Sequence, residues 1–302
     1  MRPLDGKTAL VTGAARGIGR AIAIRLAAEP MRLVLADRDV VGLAATRAEI
    51  EKRGGQAIAC PCDLTDPRQI DGLVDDLLDR WAGVDLLVNN AGVAHYGMTH
   101  EMTAIETDRL LAVNLHAPVQ LTQALLPSML ARAEAHVLNV CSVLGLAVMP
   151  RVSAYCASKH ALVGFSEALR VEYGRQGLGV TTLCPGFVRT ELIDEASSLV
   201  EGQPIRRPPA LFCVSVDRVA QAAVHGVRRN RRRVVVDPAG RIVRGAMAIM
   251  PSVFDWMHSL GRHKRIAKKR AELLALHEDP NEAIRLKLRP AKRLSTRPRL
   301  AA

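Results

Sequence analysis

The chain has 302 residues, 49% of them hydrophobic, 24% charged and only 3% aromatic. That length and apolar content bury a substantial core in one large domain or two small ones, and exclude a disordered chain or a disulfide-stapled miniprotein. Lys and Arg outnumber Asp and Glu by 42 to 30, a formal charge of +12 that raises nucleic acid and anionic membrane as partners.

Position changes what that charge means. Residues 1–227 carry 22 basic and 24 acidic side chains, whereas residues 261–302 carry 13 basic against four acidic. The first three quarters therefore read as a near-neutral globular domain, and the excess belongs to the C-terminal end. The basic run Arg228–Arg233 lacks interleaved aromatics and any base-reading motif, so nucleic acid is not expected as a partner. Six cysteines, with Cys141 and Cys184 in apolar strand-like runs, read as reduced core thiols of a cytoplasmic protein. Cys60 and Cys62 lack a second Cys/His pair and alternate across a strand, so no metal site is expected. An apolar signal core is missing at the start, and no apolar run reaches the roughly 18 residues of a membrane span.

In chain order, a first β-type run, Thr8–Thr12, leads into Thr12-Gly13-Ala14-Ala15-Arg16-Gly17-Ile18-Gly19 and a helix over Gly19–Ala28. Glycines there allow a tight turn and bring backbone N–H groups to a pyrophosphate at the helix N-terminus. The second strand, Arg32–Ala36, ends at Asp37, where a carboxylate suits an adenosine ribose and repels a 2′-phosphate. NAD is therefore favoured over NADP, although Arg16 and Arg38 flank the same place and suit a phosphate. A third strand, Ala57–Cys60, precedes Asp63 and Leu64; Asp63 reads either as an adenine contact or as a turn cap ahead of Pro67 and the helix Gln69–Trp81.

The fourth strand, Leu86–Asn89, closes with Asn90-Ala91-Gly92. After it come the helix His116–Arg132, a strand His136–Cys141 and Ser142. Thirteen residues later Tyr155-Cys156-Ala157-Ser158-Lys159 lies at the start of a helix over Ser153–Gly174. Strands Val180–Cys184 and Val234–Val236 complete a series of continuous Val/Leu/Ile runs, as strands buried on both faces require. Runs of this kind separated by helices define an α/β protein with a doubly wound parallel sheet.

Tyr155 and Lys159 are four apart on a helix and so share one face. A phenol, with its pKa near 10, is a poor base at neutral pH, and a lysine cation beside it favours the phenolate. Tyr155 can then take a hydroxyl proton while Ser142 holds the oxygen.

In their order and spacing the glycine turn, Asn89-Asn90-Ala91-Gly92, Ser142 and Tyr155-x-x-x-Lys159 resemble the short-chain dehydrogenase/reductase family of the roughly 250-residue type, over about residues 5–190. The resemblance implies a Rossmann fold and catalysis by Ser142, Tyr155, Lys159 and Asn114, with Asn114 holding a water that links Lys159 to solvent. It implies that the cofactor is held by Gly13, Arg16, Gly17, Ile18, Gly19, Asp37, Arg38, Asp63, Leu64, Asn90, Ala91, Gly92, Tyr155 and Lys159. Pro185, Gly186, Val188 and Thr190 would hold its nicotinamide side. The helices His116–Arg132 and Ser153–Gly174 are the family's usual dimer faces, so a homodimer or homotetramer is expected.

Two apolar segments at the carboxyl edge of the sheet, Val143–Pro150 and Pro185–Val188, predict an apolar alcohol or ketone as substrate, touching Ser142, Leu144, Tyr155 and Phe187. Arg151 ends the first segment and Arg189 follows the second. The stretch Thr190–Pro209 has no clear period and reads as a lid.

Domain organisation is read as a catalytic domain over 1–240, an apolar and basic helical extension over 241–285, and a basic disordered tail over 286–302. The extension, with Phe254 and Trp256 near a bend at Pro251, suits peripheral membrane contact through 241–270, packing over the pocket or a second subunit, or a solvated basic tail. Two functions stand at this point. One is an NAD(P)-dependent oxidoreductase of an apolar alcohol or carbonyl. The other is a non-catalytic cofactor-binding sensor or scaffold that engages a membrane or partner through its basic C-terminus.

Overall fold

A computed structural model describes residues 4–188, 197–198 and 213–237 and the isolated residues 240, 245, 252, 256, 259, 266, 267 and 271. Its chain contacts divide it into one unit, Met1–Gly245, and a second, Ala246–Ala302.

The first unit opens with strand β1 (Thr8–Thr12), every residue of which is buried, followed by helix α1 (Gly17–Leu26). Strand β2 (Arg32–Asp37) and helix α2 (Val40–Lys52) come next, with Asp39 capping α2 through the Gly42 N–H at 3.0 Å. Then follow β3 (Gln56–Pro61) and α3 (Pro67–Trp81), whose proline at the first turn costs no hydrogen bond. β4 (Leu86–Asn89) and a two-residue β5 (His95–Tyr96) precede α4 (Ala104–Leu111), which starts at a Thr103/Glu106 capping box.

A π-helical turn (Ala112–His116) joins α4 to α5 (Ala117–Leu130). The second half of the unit consists of β6 (Ala135–Val140), a 3₁₀ turn (Val143–Gly145), α6 (Ser153–Tyr173) and β7 (Leu178–Cys184). Short strands β8 (Phe187–Val188), β9 (Ser197–Ser198) and β10 (Cys213–Val214) lead to α7 (Val216–Arg228) and β11 (Arg233–Val235).

Seven strands form one sheet in the order β11-β7-β6-β4-β1-β2-β3, and every neighbouring pair is parallel. Parallel strands need crossover helices, so both faces are covered. Ile22, Leu26 and Leu43 from α1 and α2 pack on one face with Val219, Ala223 and Val227 of α7. Leu73, Leu77, Leu121, Leu125 and Leu169 from α3, α5 and α6 pack on the other. The strand order reverses between β1 and β4, and the crevice at the carboxyl ends of these two is where such sheets bind ligands.

At the opposite end of the sheet, buried Asp85 accepts from the Thr8 N–H at 2.8 Å and pairs with Lys7 at 3.3 Å and Arg132 at 3.2 Å. These three contacts fix the start of β4 to β1, and no sequence pattern announces them.

The doubly wound sheet is the architecture expected. The first helix starts two residues early, at Gly17, and the helix expected over His116–Arg132 is α5 with a π turn before it. Within the stretch expected as a lid, Ser197–Ser198 pairs in parallel with His95–Tyr96. Thr190, Arg189 and the rest of that stretch lie outside the described residues. So do Phe254, most of 241–285 and all of 286–302. In the second unit the described residues Ser252, Trp256, Ser259, Ile266, Ala267 and Ala271 are helical and exposed, Trp256 by 61%. No helix among the described residues is long and apolar enough to cross a membrane.

Candidate active site

The glycine turn is held by protein atoms on both sides. Thr12 Oγ1 accepts from the N–H groups of Asn90 at 3.0 Å and Ala91 at 3.1 Å, while Asn90 Nδ2 donates to the carbonyls of Thr12 at 3.0 Å and Gly13 at 3.2 Å. The ends of β1 and β4 are thereby locked together. Gly13 has φ of +65° and no room for a side chain, since a Cβ there would stand 2.8 Å from Ala91 Cα. Gly19 faces the Gly13 carbonyl more closely still. The first turn of α1 has no side-chain cap, unlike α2, α3, α4 and α7, so its N–H groups remain for a ligand.

Asp37 is half-buried at the end of β2. One carboxylate oxygen accepts from the Ala15 N–H at 3.1 Å and the other from the Asp39 N–H at 3.1 Å. Asp63 accepts from the backbone and hydroxyl of Thr65, a turn-capping role, and these bonds help hold its carboxyl below the usual range. The Arg38 charge acts on Asp63 in the same sense. Leu64 beside it is buried, and Arg16 is exposed at the start of α1. Together, an uncapped helix end, a glycine turn without side chains and a carboxylate one strand away fit a dinucleotide.

Ser142 follows β6 and is buried. Its Oγ accepts from the Leu144 N–H at 3.0 Å, which caps the 3₁₀ turn and leaves the hydroxyl proton to be donated. The Ser142 hydroxyl also meets the Tyr155 phenol, and this contact favours the phenolate. Ser142 is thus both a cap and a partner of the phenol.

Lys159 is buried on α6, one turn beyond Tyr155. Its Nζ donates to the Val140 carbonyl at 3.1 Å and lies 5.7 Å from the centroid of the Tyr155 ring. Burial lowers the ammonium's pKa. A Cβ added to Gly92 would sit 3.4 Å from Asn114 Oδ1 and 3.5 Å from Lys159 Nζ, so Gly92, Asn114 and Lys159 meet at one point.

In the packed structure the phenol lies above its ordinary value: burial pushes Tyr155 up to about 12, with the Ser142 hydroxyl pulling the other way, while the Lys159 ammonium is turned to the Val140 carbonyl. The Asn114 side-chain amide is engaged with the loop after β4 and with α6. Its Oδ1 accepts from the Val93 N–H at 2.8 Å, and its Nδ2 donates to the Val93 carbonyl at 2.9 Å and to Ser158 Oγ at 3.1 Å. The π turn that carries Asn114 is a feature often found at functional sites.

Ser158 completes the link by donating to the Tyr155 carbonyl at 2.8 Å. Sequence reasoning passed over both Ser158 and Thr12, although each stands inside a motif that it quoted. Val188 is buried in β8 and Phe187 is 38% exposed, beside Pro185 and Gly186, while Leu144 is half-buried in the 3₁₀ turn and Ile18 half-buried in α1. A cavity of about 710 Å³ between α1, α2 and α7, lined by Arg20, Ile24, Glu49 and Arg228 among others, contains none of the catalytic candidates. None of the six cysteines is in a disulfide, and no cluster of metal-binding side chains occurs among the described residues.

A family profile described as short chain dehydrogenase matches residues 7–199. A fatty acyl-CoA reductase from Acinetobacter baylyi is 33% identical over 260 residues, covering 85% of each chain. The ketoacyl reductase HetN from a Nostoc species is 32% identical over 237 residues, which is 78% of this chain and 80% of that protein. Among solved structures, a short chain dehydrogenase/reductase from Burkholderia phymatum in complex with NAD superposes with a TM-score of 0.75 at 30% identity, covering 84% of this chain and 96% of that one. A metagenomic short-chain oxidoreductase in complex with NADP gives 0.66 at 34% identity, over 78% and 98%.

The chain belongs to the short-chain dehydrogenase/reductase family of oxidoreductases.

Proposed function

We propose that this protein interconverts a secondary alcohol and a ketone or aldehyde on an apolar substrate, with a nicotinamide cofactor and a preference for NAD. The observation that carries this reading is the hydroxyl pair of Ser142 and Tyr155 with the buried Lys159 ammonium one helical turn behind it. A bound oxidised nicotinamide would supply the hydride acceptor and a positive charge that favours the phenolate.

The chain's own residues do the rest. Ser142 donates its proton to the substrate oxygen and holds it as charge develops there. Tyr155 Oη takes the hydroxyl proton in oxidation and returns it in reduction. Lys159, fixed by the Val140 carbonyl, holds its charge near the phenol and faces the Gly92 edge of the cofactor site. Asn114 is a positioning residue that ties the loop after β4 to Ser158 and so to the Tyr155 backbone. Gly13, Gly17, Ile18, Gly19, Asn90, Ala91 and Gly92 would form the phosphate and ribose cradle, with Asp37 on the adenosine ribose.

The apolar substrate is supported by the exposed side chains Val148, at 47%, and Phe187 at the carboxyl edge of the sheet. Two of the similar proteins are named for acyl substrates, which agrees with it. A cytoplasmic homo-oligomer is the assembly proposed. Purified protein incubated with NAD or NADP and a series of secondary alcohols of growing chain length tests the reading. Turnover should rise with chain length and be higher with NAD; preference for short polar diols, or no turnover with cofactor binding intact, would contradict it and favour the sensor.

A further inference from the structure

One residue at the mouth of the site has no part in the proton chemistry. Arg151 has φ of +69°, a left-handed conformation that non-glycine residues adopt only at some cost. Its carbonyl accepts from the Gly97 N–H at 2.9 Å, and its guanidinium lies over the Tyr96 ring, 5.8 Å from the centroid. Close by, Thr99 Oγ1 and Ser153 Oγ are 2.9 Å apart. The loops after β4 and β6 leave the carboxyl ends of paired parallel strands and are latched together here.

The cation–π contact with Tyr96 holds the guanidinium beside the ring. Arg151 is exposed, and among the described residues no carboxylate lies within ion-pair distance of it. Apolar side chains are exposed in the same two loops, beside the polar Thr99, Glu101 and Ser153. Val148 and Met98 expose 47% and 44% of their surfaces, and a cavity of about 360 Å³ opens between Val148, Met149, Ser153, Cys156, Ala157 and His160. Exposed apolar side chains in the same loops as a cation that has no carboxylate partner among the described residues suit an amphipathic molecule.

We propose that Arg151 recognises an anionic group, a carboxylate or a phosphate, at the far end of the apolar substrate. This rests on the apolar alcohol or carbonyl reading above and gives that substrate a charged end. Arg151 precedes Tyr155 by four residues, so their Cα atoms are at most about 14 Å apart. A chain of up to about ten carbons is therefore long enough to join an anion at Arg151 to a reacting carbon at Tyr155.

The experiment compares decan-2-one with 9-oxodecanoate and 9-oxodecyl phosphate in carbonyl reduction. The wild type should prefer at least one of the anionic ketones by about tenfold in kcat/KM, as a charge-assisted bond to arginine implies. Whichever anion gains more names the headgroup. In Arg151→Gln that ratio should fall to near one, and in Arg151→Lys it should fall only in part. Arg151→Gly accepts the left-handed backbone and guards against a folding artefact. A ratio left unchanged by Arg151→Gln and Arg151→Gly overturns the proposal.

A second readout needs no turnover. Decanoate should raise the melting temperature of NAD-saturated wild type and not of Arg151→Gln, and equal shifts would overturn the proposal. Ketones that are not reduced, with decanoate binding still dependent on Arg151, would count against the alcohol/carbonyl reading alone.

Discussion

The Lys159 ammonium stands 5.7 Å from the centre of the Tyr155 ring while donating to the Val140 carbonyl at 3.1 Å, so the cation is anchored beside the phenol rather than on its oxygen. Burial has meanwhile pushed the phenol up to about 12. Alcohol oxidation needs the phenolate, so its kcat should rise with pH to a plateau; carbonyl reduction needs the phenol and should fall at high pH. With the positive nicotinamide bound, the midpoint should lie below 12. Lys159→Met removes the nearest cation and should move that midpoint up by about one pH unit or more. Rate profiles in both directions check this, and an unmoved midpoint would remove Lys159 from the proton chemistry.

Asp37 has a structural role and, in the proposed reading, a selective one. Its two oxygens brace Ala15 and Asp39, while its charge faces the place expected for the adenosine ribose. Asp37→Asn keeps an acceptor and removes the charge. Because an unpaired like-charge contact costs several kcal/mol, the ratio of kcat/KM for NAD over NADP should fall by at least about tenfold. An unchanged ratio would place the discrimination elsewhere, with Arg16 and Arg38 the next residues to test.

Gly19→Ala should be costly although glycine to alanine favours a helix in general. The added Cβ would overlap the Gly13 carbonyl and Asn90 Nδ2, neither of which is the free end of a flexible side chain. A loss of roughly 1 to 3 kcal/mol in denaturant unfolding, with weakened cofactor binding, is expected. Wild-type stability would show that the turn gives way easily.

His136 is fully enclosed in the sheet, bonded through Nε2 to Thr181 Oγ1 at 2.9 Å, and burial depresses its pKa from 6.5 to about 3. The fold therefore holds this imidazole neutral, while the unfolded chain takes up a proton below pH 6.5. Stability from this residue is complete above that value and is lost as pH falls toward 3, by up to about 1.4 kcal/mol per pH unit. In His136→Gln that part of the slope should vanish, so the stability difference from wild type should change between pH 7 and pH 4. Parallel curves would contradict the neutral histidine.

Much of this protein is written locally. The central strands are continuous Val/Leu/Ile runs because both faces are covered, and the proposed proton chain of Ser142, Tyr155 and Lys159 could be named because strand, turn and helix follow each other in fixed spacing. What escaped depends on atoms distant in sequence. The Asp85 contacts with Lys7 and Arg132, the π turn under Asn114 and the pairing of His95–Tyr96 with Ser197–Ser198 leave no periodic trace. The upward shift of Tyr155 was missed for a related reason: spacing shows that a cation is near, and only the packed structure shows how much water has been removed and where the cation points.

The central claim is that Tyr155 moves the proton. Tyr155→Phe keeps the ring and its place on α6 and deletes only the hydroxyl that meets Ser142. Turnover measured together with NAD affinity tests the claim most directly. The account predicts a fall in kcat of at least about a thousandfold with NAD binding retained; activity within a few fold of wild type would contradict it.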